Sequence, residues 1–157
     1  MAASNTPVFV DYAHTPDALH HALQTLRSCS TPTQELWVVF GCGGDRDKGK
    51  RPQMGRIAED LADRIFVTSD NPRSENPAVI IEDICSGLQN PDQAIIIEDR
   101  ALAIQEAMRQ RMSSTIVLVA GKGHETHQEI NGLRIDFDDR EHIRAHLSSS
   151  QTLDLRP

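Results

Sequence analysis

Short apolar runs alternate along the chain with segments in which apolar residues recur every three or four positions. The runs are rich in valine, isoleucine, leucine and phenylalanine, and they predict buried β-strands. The segments between them predict amphipathic helices, because residues at that spacing share one face of a helix. The predicted strands are residues 8–10, 36–40, 65–68, 94–97 and 116–119, and the predicted helices are residues 16–26, 52–62, 78–88 and 101–112.

This alternation predicts an α/β domain. Strands joined by helical crossovers pair in parallel, and their helices cover both faces of the sheet. Thr15 stands before Pro16 and predicts an N-cap for the first helix, and Asp99 predicts a cap for the fourth. We therefore expect a Rossmann-like three-layer sandwich built on a mostly parallel sheet.

The pattern changes near the C-terminal end of the chain. Residues 128–130 and 133–137 have the composition of strands, and Asn131 and Gly132 between them form a preferred two-residue hairpin turn. We expect this antiparallel hairpin to make part of the sheet antiparallel. Residues 141–147 predict a last amphipathic helix.

The length and charge of the chain limit what it can be. A chain of 157 residues suits one domain with its own core. We expect that domain to extend over residues 8–147, after a disordered or vector-derived start at residues 1–7 and before a polar tail at residues 148–157. The formal net charge of −7 argues against a nucleic-acid-binding or acidic-membrane-binding surface, because phosphate binding needs a basic face.

The cysteines and the chain ends predict a compartment. Cys29, Cys42 and Cys85 are an odd number at wide spacings and form neither a CxxC pair nor a zinc-type ligand set. They predict free thiols in a reducing compartment. The chain has no apolar run of transmembrane length, and its start lacks the basic flank and apolar core of a signal peptide. We expect a cytoplasmic protein with no membrane partner.

The residues with the most distinctive chemistry follow four of the predicted strands. In open parallel sheets, ligands bind beyond the carboxyl ends of the strands. We name the sequences at those ends the first segment (residues 11–16), the second segment (residues 41–51), the third segment (residues 70–73) and the fourth segment (residues 121–125).

The second segment combines four glycines with several charged residues. Glycines let backbone amides approach a ligand closely, and Arg and Lys side chains pair with carboxylates or phosphates. Gly44, Gly49 and Lys50 nearly match a phosphate-binding P-loop, but Arg51 stands where that motif requires the Ser or Thr that binds magnesium. We therefore reject a P-loop here. Taken alone, the segment is equally compatible with a solvated turn.

The third and fourth segments have the groups that a zwitterionic ligand requires. Asp70, Asn71 and Arg73 offer an acceptor, an amide and a forked cation, although an Asx-type turn with a surface arginine is the alternative. Glu125 can receive an ammonium group, and the alternative for its glycine-containing segment is a flexible connection into the hairpin. His14 and His124 lack the partners of a Ser-His-Asp or Cys-His relay, so we expect no catalytic residue and no metal ligand.

Taken together and in order, the four segments resemble the C-terminal domain of the Mur ligases, most closely the members that add meso-diaminopimelate. The motifs are Asp-Tyr-Ala-His-Thr-Pro, the eleven residues of the second segment, Asp-Asn-Pro-Arg and Gly-Lys-Gly-His-Glu. The resemblance extends from Val8 to about Leu147.

The resemblance implies an activity and its partners. Such ligases use ATP and Mg²⁺ to phosphorylate the acceptor carboxylate of UDP-N-acetylmuramoyl-dipeptide, and the amine of meso-diaminopimelate then attacks the acyl phosphate. They have an N-terminal domain for the UDP-sugar and a central ATPase domain, and the C-terminal domain closes over both. Neither of the first two domains occurs in this chain, so we expect an excised domain that is inactive by itself.

The resemblance also implies roles for individual residues. Those matching diaminopimelate contacts are Arg46, Asp70, Asn71, Arg73, Gly121 and Glu125. Those matching the edge of the nucleotide site are Tyr12, His14 and Asp17. Lys122 and His124 are weaker candidates for contacts across the closed cleft.

Two other interpretations stay open at this point. One is a different ligase of the same superfamily, such as a folylpolyglutamate or cyanophycin synthetase, although we do not expect those enzymes to combine these third and fourth segments. The other is a stand-alone binding or regulatory domain without catalysis.

Overall fold

The computed structural model describes residues 6–147 and contains strands and helices in the predicted alternation. Strand and helix ends differ from the predicted ones by a few residues, and Thr15 and Asp99 cap their helices as predicted. No helix within these residues is long and apolar enough to cross a membrane. The elements are β1 (Val8–Asp11), α1 (Pro16–Cys29), β2 (Glu35–Phe40), α2 (Lys50–Leu61), β3 (Arg64–Val67), α3 (Pro77–Cys85), a 3₁₀ turn (Pro91–Gln93), β4 (Ile95–Ile96), α4 (Arg100–Gln110), β5 (Thr115–Ala120), β6 (His127–Ile130), β7 (Leu133–Asp136) and α5 (Asp139–Ala145).

The first five strands form one sheet in the order β1-β5-β2-β3-β4, and every neighbouring pair is parallel. β5 is the last of them in the chain, yet it lies between β1 and β2, and all six of its residues are buried. This insertion brings the carboxyl end of β5 next to the carboxyl ends of strands formed much earlier in the chain. The predicted α/β class with a mostly parallel sheet is confirmed.

The antiparallel hairpin of β6 and β7 is also confirmed, but it forms a separate two-stranded sheet. The expectation that it would belong to the main sheet is wrong. A parallel bridge between Ile130 and Arg73 joins its backbone to the third segment. The turn at Asn131 and Gly132, both with positive φ, determines the pairing within the hairpin. What the hairpin packs against depends on contacts distant in sequence, and the turn does not determine them.

The core has two layers, one on each face of the sheet. Successive side chains of a strand point to opposite faces. In β2, Leu36, Val38 and Phe40 therefore pack against α1, α2 and α3, while Trp37 and Val39 pack on the other face with α4 and α5. The three-layer sandwich is thus held by two apolar cores that share the buried strands β2 and β5.

A buried ion pair holds α5 and α4 to the sheet. The Arg100 guanidinium donates two hydrogen bonds to the Asp139 carboxylate, at 2.7 and 2.8 Å, and neither side chain is exposed. The same guanidinium donates to the carbonyl oxygen of Ala120 at 3.1 Å. It also lies 3.4 Å from the carbonyl oxygen of Ser69. Ala120 and Ser69 precede the fourth and third segments, so this pair supports the ends of both.

A second buried cation joins the second segment to Glu75 and to α3. Arg51 is completely buried, and its guanidinium donates to Glu75 at 2.6 Å and to Asp83 of α3 at 2.8 Å. It also donates to the carbonyl oxygen of Gly43 at 3.2 Å. The hydrogen bond from Arg51 holds the pKa of Glu75 down, from its usual 4.5 to about 2. The residue that replaces the P-loop hydroxyl therefore has a structural role.

Replacing Asp139 with Asn should destabilise the fold strongly. Asn has nearly the same shape but no charge, so Arg100 would stay buried without its counter-ion, which typically costs about 3–5 kcal/mol. The measurement is the free energy of unfolding in urea. Glu106→Gln is the matched control, because Glu106 pairs with the exposed Arg109 on the surface of α4 and its loss should matter far less. Equal effects of the two substitutions would contradict the importance given to the buried pair.

Glu75→Gln should change how stability depends on pH. Because the pKa of Glu75 is lowered on folding, its contribution is fully present above pH 4.5 and disappears as the pH falls to about 2. The variant should lose about 1–3 kcal/mol at pH 7 and show a flatter pH profile in the acid range, measured by denaturant unfolding at several pH values. Glu82→Gln, which removes an exposed carboxylate of α3, should follow the unmutated profile. A Glu75→Gln profile parallel to the unmutated one would exclude this linkage.

Candidate functional site

A pocket of about 330 Å³ opens at the edge of the sheet where β1, β2, β3 and β5 end. Each of the four segments contributes to its walls, as expected for an open parallel sheet. The lining residues are Tyr12, His14, Thr15, Gly43, Arg46, Asp47, Lys50, Asp70, Asn71, Arg73, Gly121 and Glu125.

The structure brings together most of the residues predicted to form the site. All six predicted diaminopimelate contacts line this pocket, and so do Tyr12 and His14 from the predicted nucleotide edge. Asp17 lies on the exposed side of the first turn of α1, and His124 is exposed, and neither lines the pocket. The ligand assigned to each residue stays a prediction, since the geometry establishes their proximity alone.

The first segment forms an aromatic rim. Tyr12 is half-exposed, and its ring lies 4.5 Å from the His14 ring between centroids. His14 is held by a 2.9 Å hydrogen bond between its Nδ1 and the Tyr12 carbonyl oxygen. Lys50 of α2 donates to the His14 carbonyl oxygen at 3.0 Å, which joins this rim to the second segment. Such a rim can pack against a flat heterocyclic ring.

Arg73 is held in place by the hairpin. Its backbone has a φ of 51°, and its N–H donates to the Glu129 carbonyl oxygen at 3.0 Å. Its Nε donates to the Glu129 carboxylate at 2.9 Å, and its Nη1 donates to the Gly44 carbonyl oxygen at 3.0 Å. Within residues 6–147, Nη2 makes no hydrogen bond, so it can still donate to an anionic ligand. Glu129 was not predicted, because nothing in the sequence of an ordinary strand identifies it as the partner of Arg73.

Lys122 lies beneath the pocket, and its side chain is fully buried. Its Nζ donates to Asn71 Oδ1 at 2.8 Å and to the His127 carbonyl oxygen at 2.9 Å. It is also 3.2 Å from Asp70 Oδ1 and 3.6 Å from Glu125 Oε2. The ammonium of Lys122 is thus engaged inside this domain, and its predicted contact across the closed cleft stays a prediction.

Gly121 lets the fourth segment pass close to the third. Its φ of 117° is strained for any residue with a side chain, and a Cβ there would come within 3.0 Å of Asp70 Oδ2. The backbone can thus place Glu125 on the same side of the pocket as Asp70. The result is a pair of carboxylates from two different strand ends.

The pocket contains charged groups of both signs. Asp70 and Glu125 form an acidic side, and Arg73 and Arg46 contribute guanidinium groups. Arg46 is exposed and donates to the Asp45 carbonyl oxygen at 2.9 Å, so most of its donors stay available. Carboxylates bind ammonium groups and guanidinium groups bind carboxylates, so this arrangement suits an amino acid.

The cysteines are free thiols, as predicted, and Cys42 follows β2 at the base of the second segment. Burial raises the pKa of its thiol to about 12, so the group stays protonated at neutral pH and is a poor nucleophile. Among the described residues, no group of three or more His, Cys, Asp or Glu side chains is arranged to hold a metal ion.

Comparison with known proteins identifies relatives of this chain. Residues 1–123 match the family model of the Mur ligase, glutamate ligase domain. The chain is 55% identical over 146 residues to UDP-N-acetylmuramoyl-L-alanyl-D-glutamate--2,6-diaminopimelate ligase of Ralstonia nicotianae, covering 90% of the chain and 28% of that protein. It is 52% identical over 139 residues to the protein of the same name from Vibrio vulnificus, covering 88% and 28%. The chain spans about 28% of the length of these curated relatives.

Solved structures agree with this assignment. A UDP-N-acetylmuramoyl-L-alanyl-D-glutamate--2,6-diaminopimelate ligase superimposes with a TM-score of 0.84 at 46% identity, over 91% of this chain and 29% of that chain. A bifunctional folylpolyglutamate synthase/dihydrofolate synthase superimposes with a TM-score of 0.56 at 19% identity, over 73% and 26%, which shows a shared fold alone. The family model, the fold and the four strand-end segments agree, and the chain belongs to the Mur ligase family as its glutamate ligase domain.

Proposed function

We propose that the chain is the C-terminal, amino-acid-binding domain of an ATP-dependent ligase. In this proposal the parent enzyme adds meso-diaminopimelate to UDP-N-acetylmuramoyl-L-alanyl-D-glutamate in the cytoplasm, during peptidoglycan synthesis. The observation that carries it is the pocket with both carboxylates and guanidinium groups, because Asp70 and Glu125 line the same space as Arg73 and Arg46. The names of the relatives and their sequence identity to this chain support diaminopimelate as the amino acid.

The pocket suits one of the two amino-acid centres of diaminopimelate. The free Nη2 of Arg73 binds the carboxylate of that centre, and the carboxylates of Asp70 and Glu125 receive its ammonium group. Asn71 is held through its Oδ1, which accepts from Lys122 and from the Glu129 N–H. Its amide nitrogen is therefore directed to the ligand. The amine of the other amino-acid centre is not bound by these residues and is free to attack an acyl phosphate.

The contribution of this domain to the reaction is positional. Holding the amine at a fixed place relative to the acyl phosphate removes the entropic cost of bringing them together. A catalytic base is not needed for that role, and the described residues offer no relay of nucleophile and base. The site therefore acts by binding and orientation.

ATP is a substrate of the proposed parent enzyme, and this domain would contact only its edge. Tyr12 and His14 provide a surface for the adenine ring, and Asp17 in the first turn of α1 provides an acceptor for the ribose hydroxyls. Arg51, at the position of the P-loop hydroxyl, is buried against Glu75 and Asp83. The described residues thus do not fit a magnesium site, and phosphates and Mg²⁺ would be held by the central domain.

The two alternative functions have less support. A folylpolyglutamate synthase shares the fold at 19% identity, whereas the diaminopimelate ligases are more than half identical. A stand-alone binding domain would need no second surface, yet Tyr12 and His14 form an exposed rim beside the amino-acid pocket. That rim favours a domain that closes on a nucleotide.

The isolated chain should ligate nothing. It lacks a P-loop and, within residues 6–147, a metal-binding cluster. The isolated chain would therefore provide only part of the ATP site. The measurement is ADP release with the UDP-dipeptide acceptor, diaminopimelate and ATP present. The control is the full-length ligase under the same conditions. Turnover of the isolated chain at the rate of the full-length enzyme would refute the proposal that it is one domain of a larger ligase.

Arg73→Ala in the full-length ligase should abolish most diaminopimelate activity and leave the KM for ATP nearly unchanged. Lysine lacks the second carboxylate, so the unmutated enzyme should prefer diaminopimelate by about a hundredfold in kcat/KM. This preference lies near the lower end of the range for the loss of one partner of a buried charge pair. The reason is that Arg73 keeps Glu129 as a partner when lysine is bound. Arg73→Lys should restore part of the activity, since an ammonium lacks the forked geometry.

Arg134→Ala is the matched control for this experiment. Arg134 also lies near Glu129, at 3.6 Å, but it is mostly exposed and does not line the amino-acid pocket. Its removal should leave both Michaelis constants unchanged. Equal kcat/KM values of the unmutated enzyme for diaminopimelate and lysine would show that Arg73 does not bind the second carboxylate.

A further inference from the structure

Lys122 is a buried cation that contacts no ligand directly in the binding scheme described above. Its side chain is fully buried, although an ammonium group normally avoids such a place because desolvation is costly. The atoms around its Nζ come from the third segment, the fourth segment and the start of β6. The third and fourth segments contribute the acidic side of the pocket.

The donors of Lys122 are fewer than the acceptors around it. An ammonium group has three N–H donors. Two of them are used by neutral acceptors, Asn71 Oδ1 at 2.8 Å and the His127 carbonyl oxygen at 2.9 Å. The remaining donor faces Asp70 Oδ1 and Glu125 Oε2, and both oxygens are buried without a hydrogen bond within residues 6–147. One N–H cannot satisfy both carboxylates.

The acidic side is therefore one positive charge short of neutrality. Asp70 and Glu125 bring two negative charges and Lys122 brings one positive charge. Two nearby cations have carboxylate partners of their own, since Arg100 is paired with both oxygens of Asp139 and Arg73 with Glu129. A ligand that enters the pocket can supply the missing charge, because Asp70 and Glu125 both line it.

We propose that Lys122 is a positioning residue for the amino-acid substrate. Its buried ammonium holds Asp70, Asn71 and Glu125 together as one acceptor group and leaves that group with a single net negative charge for the substrate ammonium. Lys122 itself does not touch the substrate. This inference rests on the proposed function, in which the same carboxylates receive an ammonium group of diaminopimelate.

The test is steady-state kinetics of the full-length ligase with Lys122→Met, which removes the charge and all three donors. The KM for diaminopimelate should rise about tenfold or more, because the two carboxylates lose their shared counter-ion and their orientation. The KM for ATP should change less than about twofold, since the nucleotide edge lies on another segment. A general loss of structure would not separate the two constants in this way. Lys48→Met is the matched control, because Lys48 is an exposed lysine outside the pocket lining, and it should leave both constants unchanged.

A double-substitution cycle with Glu125→Gln provides the second measurement. Glu125→Gln alone should raise the KM for diaminopimelate, and adding Lys122→Met should then cost clearly less than it does in the unmutated enzyme, since the pair of changes restores a single negative charge. Independent, multiplying effects of the two substitutions would overturn the inference. So would an unchanged KM for diaminopimelate in Lys122→Met.

Lys122→Gln covers the case in which Lys122→Met does not fold. Gln retains two donors for Asn71 and the His127 carbonyl oxygen but lacks the charge, so the KM for diaminopimelate should still rise. A Lys122→Gln enzyme with unmutated constants, or failure of every Lys122 variant to fold, would assign Lys122 to stability alone and overturn the inference. If the unmutated enzyme does not use diaminopimelate, the proposed function fails first and independently.

Discussion

The placement of β5 between β1 and β2 is the constraint on which the site depends. β5 pairs in parallel with both neighbours over most of its length, and its side chains enter both apolar cores. Its carboxyl end therefore has one possible position, and the fourth segment must begin there. Because Ala120 is fixed in this way, Lys122 and Glu125 meet Asp70 and Asn71, which lie about fifty residues earlier in the chain.

Three buried cations hold the segments above this sheet. Arg100, Arg51 and Lys122 are all completely buried, and each joins parts of the chain that are distant in sequence. A buried ion is costly unless it is paired and hydrogen-bonded, so each of these contacts tolerates few alternative arrangements. Loops rich in glycine would otherwise be mobile. The buried cations provide the rigidity that a site for a small polar ligand needs.

Much of this could be predicted from sequence, and the remainder has a physical explanation. Strand periodicity predicted the sheet, and the rule for strand ends predicted that Asp70, Arg73 and Glu125 would meet. The fully buried position of Lys122 could not be predicted, because a glycine-flanked lysine is equally typical of an exposed loop. Nor could the pairing of Arg73 with Glu129, since local pattern indicates a hairpin but not the surface it packs on. Both depend on contacts between distant parts of the chain.

The hairpin contributes to both sides of the pocket. It holds Arg73 through two backbone hydrogen bonds and the ion pair with Glu129. It also supports the acidic side, because the His127 carbonyl oxygen accepts from Lys122 and the Glu129 N–H donates to Asn71 Oδ1. The hairpin forms a sheet of its own, so a change in its turn or length would shift both sets of contacts while the five parallel strands keep their pairing. The position of the guanidinium relative to the carboxylates therefore depends on the hairpin as well as on the ends of the parallel strands.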